Sequence, residues 1–253
     1  MSWLYCRTPR PEAPYRLVCF PHAGGSAQFF GSWSDALPGL EVQSVLYPGR
    51  AQRIAEPPPV DLRGMVADIA EALRPLDDRP LVFFGHSMGA VIAYETALLL
   101  ARRGTPVLRL FASGCRAPHR ERPSLPDGGE FTEEAVVAAV MELGGVDAEL
   151  MANKMMRELV LPYLIGDLRM FEAYEHRATD VLDCPVTAIA GDTDEHVTAA
   201  EADFWSVVTR GPFRRHQLPG GHFYLTDHPP FDLIEEALRE EVPAAPPRQH
   251  AKP

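Results

Sequence analysis

What the chain has little of narrows its class first. No apolar run in its 253 residues approaches the ~18 that a membrane span requires. Met1 to Arg7 hold no apolar core of a secretion signal, so a cytoplasmic protein with no membrane partner is expected. Cysteine is scarce and scattered. Cys6, Cys19, Cys115 and Cys184 form no C-x-x-C pair, which indicates neither a zinc site nor a disulfide framework and leaves buried thiols as the expectation. Positive charge is also short, with 24 Lys and Arg against 35 Asp and Glu and a formal net charge of -11. Such a chain repels the phosphates of nucleic acid, which leaves a small molecule or another protein as its partner.

What is present fits one globular domain with a sizeable core: 46% of the residues are hydrophobic and 23% charged. A monomer is expected. Residues 1–14, with Pro9, Pro11 and Pro14, read as a flexible lead-in, 15–241 as the domain and 242–253 as a flexible tail. Apolar runs at Arg16 to Phe20, Val42 to Tyr47, Leu81 to Phe84, Val107 to Ser113 and Pro185 to Ala190 predict strands, and Phe213 to Leu218 follows as the last strand. Helical spacing at Leu62, Met65, Val66, Ile69, Ala70 and Leu73, and again from Ala90 to Leu100, falls between them. Strands alternating with helices imply right-handed crossovers and a mainly parallel sheet with helices on both faces.

The centre of the chain is Gly85-His86-Ser87-Met88-Gly89. Gly-x-Ser-x-Gly by itself arises by chance in about one chain in ten of this length. Here it joins a buried-strand pattern directly to a helix pattern, the context of a nucleophile elbow, in which Ser87 sits on a turn too tight for Cβ atoms on its neighbours. Acyl transfer through a serine then needs two N–H donors for the oxyanion. One is expected from Met88, at the start of the helix, and the other from Ala23, in the Gly-rich turn Pro21-His22-Ala23-Gly24-Gly25 that follows the first strand. A serine also needs a base, and the base an acid that fixes its tautomer. Gly191-Asp192-Thr193-Asp194 and Gly220-Gly221-His222 follow the last two strands. His222 is the candidate base, with His196 as its rival, and Asp192 and Asp194 both stand as candidate acids. No metal is called for.

From about residue 115 to 184 the alternation stops, and helical patterns from Thr132 to Leu143 and Leu150 to His176 predict an insertion over the strand ends, a lid, with Pro162 interrupting its second helix. Met141, Met151, Met155, Met156 and Met170 fall there; Met155 and Met156 are the candidates for contact with apolar substrate. Arg116, Arg120 and Arg122 precede a stretch, Pro123 to Asn153, with seven acidic residues and no Lys or Arg. They are candidates for docking an acidic partner.

These motifs together resemble the α/β-hydrolase superfamily, and within it the type II, or editing, thioesterases of polyketide and nonribosomal peptide assembly lines. The resemblance rests on Phe20-Pro21-His22-Ala23-Gly24-Gly25, Tyr47-Pro48-Gly49-Arg50 with Arg53, the elbow, Gly191 to Asp194 and Gly221-His222-Phe223-Tyr224-Leu225. It implies hydrolysis of acyl groups from the phosphopantetheine thiol of acyl or peptidyl carrier proteins, which clears stalled or misprimed units. No dissociable cofactor is implied, because the phosphopantetheine belongs to the substrate. The family's Gly-x-x-D pattern selects Asp194 as the acid. A small-molecule carboxylesterase or lipase, a medium-chain fatty acyl chain-release thioesterase, and a non-catalytic binding protein are the competing readings.

Overall fold

The computed structural model describes residues 2–121, 132–144 and 153–241; Arg122, Met151 and the tail 242–253 lie outside them. Strands β1 (Leu4–Tyr5), β2 (Tyr15–Phe20), β3 (Leu40–Val45), β4 (Leu81–His86), β5 (Arg109–Ser113), β6 (Val186–Gly191) and β7 (Phe213–Leu218) form one sheet in the order β1-β3-β2-β4-β5-β6-β7. All neighbours run parallel except β1, which is antiparallel to β3. From β2 the chain steps outward to β3 and then returns across it to β4, so the order reverses between β2 and β4. That reversal opens a crevice at the C-terminal ends of those two strands, where the Gly-rich turn and the elbow stand side by side.

The central strands are buried on both faces, so their apolar runs divide between two cores. Val18, Phe20, Leu81, Phe83, Leu110, Ala112 and Val186 pack against α2 (Leu62–Leu73) and α3 (Met88–Arg102). Leu17, Cys19, Val82, Phe84, Phe111 and Ile189 point the other way, onto α1 (Trp33–Ala36) and α7 (Phe231–Glu241). The period of two in the strands thus builds a three-layer arrangement. In α2 the six residues at helical spacing are all buried, and Asp61 caps it by accepting from the Arg63 and Gly64 N–H groups. The sheet ends on a two-residue strand and on β7, whose Arg214, Arg215 and Gln217 are polar, and both features blunt edge-to-edge pairing.

Two expectations are corrected. Residues 2–14 are not a loose lead-in. Leu4 and Tyr5 pair with β3, Trp3 accepts from the Leu46 N–H at 2.8 Å, and its ring lies 4.0 Å from the Arg53 guanidinium. Arg10 donates its backbone N–H to Glu41 and its guanidinium to Pro38 O and Ser34 O. The otherwise bare edge of β3 supplies the partners, and prolines, which restrict φ, favour this single extended path. Likewise Pro162 does not interrupt its helix: α5 (Lys154–Glu172) runs through it. Leu161 and Leu164 are buried against Val136 and Val140 of α4 (Glu133–Glu142), and this packing offsets the lost backbone hydrogen bond.

Helices α4 and α5 occupy the expected insertion between β5 and β6, and α6 (Ala199–Asp203) lies between β6 and β7. Cys19 and Cys115 are buried, Cys6 and Cys184 partly so. Among the described residues no helix is long and apolar enough to cross a membrane. Because the half-buried Trp3 ring over the Arg53 guanidinium is one of the anchors of this segment, Trp3→Ala is expected to lower the unfolding free energy by about 2 kcal/mol, read as a reduced urea midpoint; an unchanged midpoint would restore the loose lead-in.

Candidate active site

β4 turns into α3 at Ser87, whose φ of 54° and ψ of -125° place a non-glycine residue in a region L side chains rarely adopt. The turn holds because its neighbours lack Cβ atoms. A Cβ on Gly85 would lie 2.5 Å from Ala90 Cα, and one on Gly89 2.5 Å from Pro21 O. Gly89 therefore lets the first turn of α3 lie against the loop that carries Ala23. From Leu81 to Leu98 every residue but Ser87 is buried, so the serine is the part of this element that meets solvent. Its N–H donates to Ser113 O at 2.8 Å and its carbonyl accepts from Ala90 N–H at 2.9 Å.

The ends of β6 and β7 meet because Gly191 has no side chain; a Cβ there would be 2.9 Å from the Gly220 carbonyl carbon. The two acid candidates now separate. Asp192 points to the surface and accepts the Gly220 N–H at 2.9 Å, a residue with φ of 118°, so its carboxylate braces the glycine turn ahead of His222. Asp194, with its side chain 0% exposed, accepts His222 Nδ1–H at 2.9 Å on Oδ2, and the His196 and Val197 N–H groups on Oδ1. Burial would raise its carboxyl, but the hydrogen bond and charge of His222 and the two backbone donors outweigh that and hold it below its ordinary value. With Nδ1 engaged, His222 keeps Nε2 for a serine proton. Its ring centroid is 5.1 Å from that of His86, the residue before Ser87. His196, the rival base, serves Asp194 through its backbone N–H.

Two further imidazoles crowd this site. His22 is buried, 5.8 Å from His86 between ring centroids and flanked by Phe29 and Phe223. Burial lowers its pKa from 6.5 to about 3, with the charges at His222 and Arg50 acting the same way. Burial likewise pushes His86 well below its ordinary value, and its Nδ1 shares a hydrogen bond with Ser113 Oγ, itself bonded to Tyr224 Oη at 2.7 Å.

Around this centre, the loop with Ala23 is held by the buried pair Arg50 and Asp167. Sequence reasoning quotes Arg50 but misses its partner, whose signal is an acid on the buried stripe of α5 formed by Leu161, Leu164 and Met170. The lid candidates divide: Met155 stands 77% exposed and Met156 is half-buried, whereas Met170 belongs to the main core. Arg116 and Arg120 both face Glu201, at 4.0 and 3.5 Å, and Arg120 also lies over the Phe204 ring. Arg116 Nε donates to His196 O at 3.0 Å, beside the acid. Among the described residues no cluster of three or more His, Cys, Asp or Glu side chains could hold a metal ion.

Serine, aspartate and histidine, taken in chain order from the ends of β4, β6 and β7 of a mostly parallel sheet, define the α/β-hydrolase class. A family model described as a thioesterase domain matches residues 15–239, and the chain belongs to that family of thioester hydrolases. It is 42% identical over 228 residues to the probable cadicidin biosynthesis thioesterase of Streptomyces griseus, covering 89% of this chain and 62% of that protein's length. It is 40% identical to the thioesterase PikA5 of Streptomyces venezuelae, covering 89% and 80%. Among solved structures, RedJ from the prodiginine pathway of Streptomyces coelicolor superposes with a TM-score of 0.82 at 36% identity, over 91% of each chain.

The two buried histidines generate a pH dependence. Unfolded, each takes a proton near pH 6.5; folded, each stays neutral well below it. The unfolded state therefore binds more protons between pH 6.5 and 5, and stability falls as pH drops through that window, by up to about 1.4 kcal/mol per pH unit for each histidine. Urea midpoints at pH 7, 6 and 5 measure it, and a flat profile contradicts the assignment.

Proposed function

We propose that the protein is a type II thioesterase that hydrolyses acyl groups from the phosphopantetheine arm of acyl or peptidyl carrier proteins, through an acyl-Ser87 intermediate. The observation that carries this reading is the His222 Nδ1 to Asp194 contact of 2.9 Å, set beside an elbow serine in a chain of the thioesterase family. The biosynthetic roles in the names of its relatives, cadicidin for one and the prodiginine pathway for a structural neighbour, support a carrier-bound substrate. A cytoplasmic monomer fits the same reading.

Ser87 Oγ attacks the thioester carbonyl as its proton passes to His222 Nε2, with Asp194 stabilising the imidazolium. The carbonyl oxygen takes the negative charge and rests on the N–H groups of Met88 and Ala23. Collapse expels the phosphopantetheine sulfur, which receives the proton from His222. Water then gives a proton to His222, attacks the acyl carbon through a second oxyanion, and frees the acid and Ser87. The reaction as written requires no metal or dissociable cofactor. The acyl chain lies under the insertion, with Met156 and Met155 as candidate contacts. Docking of the carrier through Arg116 and Arg120 has to compete with their contacts to Glu201.

Intact-mass measurement of a panel of acylated carrier proteins tests the reading directly. The protein should restore the free-thiol mass of one or more members, and Ser87→Ala should leave every acyl group in place; acyl loss at an undiminished rate with Ser87→Ala would falsify the mechanism. Faster turnover of nitrophenyl esters than of any acyl thioester would favour the esterase reading instead. The acid is separated by two isosteric changes. Asp194→Asn should lower kcat by about 10³-fold to 10⁴-fold. Asp192→Asn retains an oxygen acceptor for Gly220 and should change it by less than about 10-fold; the reverse ranking reassigns the acid.

A further inference from the structure

We propose that Arg50 and Asp167 are positioning residues for the oxyanion loop, so that helix α5 of the insertion takes part in catalysis rather than only covering the acyl chain. The inference rests on the thioesterase reading above and extends it to a residue pair outside the triad. Both side chains are sequestered, at 2% and 0% exposure. The guanidinium grips the carboxylate with two nitrogens, at 2.5 and 2.6 Å, across 117 positions of sequence. A buried ion pair is on average no more stabilising than apolar residues of the same volume, and often less. Stability alone therefore does not account for it.

The remaining contacts show what the pair does. Asp167 Oδ2 also accepts the Gly24 N–H at 2.8 Å, and the Arg50 guanidinium also donates to Gly25 O at 3.2 Å and Pro48 O at 3.3 Å. Gly24 and Gly25 immediately follow Ala23. The Ala23 N–H shares its peptide plane with the His22 carbonyl, and that carbonyl accepts from Gly25 N–H at 2.9 Å. Any rotation of the Gly24 or Gly25 peptides is thus passed to the plane that aims the Ala23 N–H. Gly24 itself has a φ of 75°, and a Cβ there would be 2.9 Å from Leu164 Cδ1 of α5, so the loop and helix α5 fit only in this close approach. On its other side the loop is fixed by Tyr47 Oη donating to Pro21 O at 3.1 Å and by Gly89. The rings of Tyr47 and Tyr163 flank the Arg50 guanidinium at 5.3 and 4.7 Å, so water does not replace the carboxylate. An oxyanion donor contributes only if it is aimed before the charge develops; Asp167 provides the aim from a helix separate from the sheet, and Arg50 from the loop after β3.

Removing one partner strands a buried charge and can unfold the chain, so the decisive variant is the apolar pair Arg50→Met with Asp167→Leu, which removes both charges together. It should still unfold in one cooperative urea transition, lowered only by the loss of the backbone hydrogen bonds to Gly24, Gly25 and Pro48, and keep a KM for acyl-N-acetylcysteamine within about threefold. Its kcat should fall by about 100-fold. An alkyl trifluoromethyl ketone isolates the oxyanion: Ser87 adds to its carbonyl, the serine proton passes to His222, and the hemiketal oxygen takes the charge. Inhibition by it should weaken by about the same 100-fold factor in the double variant. Arg50→Lys, which keeps a charge but loses the two-nitrogen grip, should fall between the two in both measurements. A double variant that folds with wild-type kcat and wild-type inhibition, or one that does not fold, overturns the proposal. A wild-type protein inactive on every acyl thioester would overturn the functional reading itself, before any variant is compared.

Discussion

The constraint on which the site depends is a chain reversal with no room for side chains. Between β4 and α3 there is one residue, Ser87, and it is held in a conformation that is strained by about 1–3 kcal/mol for a residue with a Cβ. Such strain persists only where the surroundings over-determine it. Here Gly85 lies on the backbone of Ala90, Gly89 lies on the carbonyls of Phe20 and Pro21, and the Ser87 N–H is bonded to the neighbouring strand. The same approach of Gly89 that frees the serine places the free N–H end of α3 beside the loop after β2. Ser87 and the loop that carries Ala23 are therefore brought together by one packing contact, and the return of the chain across β2 to β4 makes that contact possible.

Much of this was legible in the sequence, because the informative residues are those whose chemistry is local. Five of the seven strands follow from apolar runs, and the elbow from two glycines around a serine. What was not legible depended on distance. The residues alone left the acid open between two positions two apart, and only the resemblance favoured Asp194; in the fold the Gly220 N–H takes Asp192 and His222 takes Asp194. β1 has two residues and no periodicity, so only its partner strand identifies it. Pro162 read as a break because local propensity says so, and it is overridden by Leu161 and Leu164 packing against α4. Asp167 was hidden for the same reason in reverse: its partner is 117 residues away, and an acid on an apolar helix stripe has no meaning until that partner is in place.

The His86 ring lies 5.8 Å from that of His22 and 5.1 Å from that of His222 between centroids, and general base catalysis at a serine works only if the proton has one destination. Burial removes two of the three from contention. His22 and His86 are enclosed, and among the described residues neither has a carboxylate partner; His86 Nδ1 meets Ser113 Oγ, and His22 lies between phenyl rings. Placing a charge on either would mean putting it in an apolar pocket next to another imidazole, so both stay neutral and serve as shape. His222 alone is paired with a carboxylate, and that carboxylate is held in its charged form by donors on both oxygens. What sets His222 apart from the other two histidines is therefore less the rings themselves than where Asp194 is placed, which in turn depends on the turn that Asp192 braces at Gly220 and on the missing side chain of Gly191.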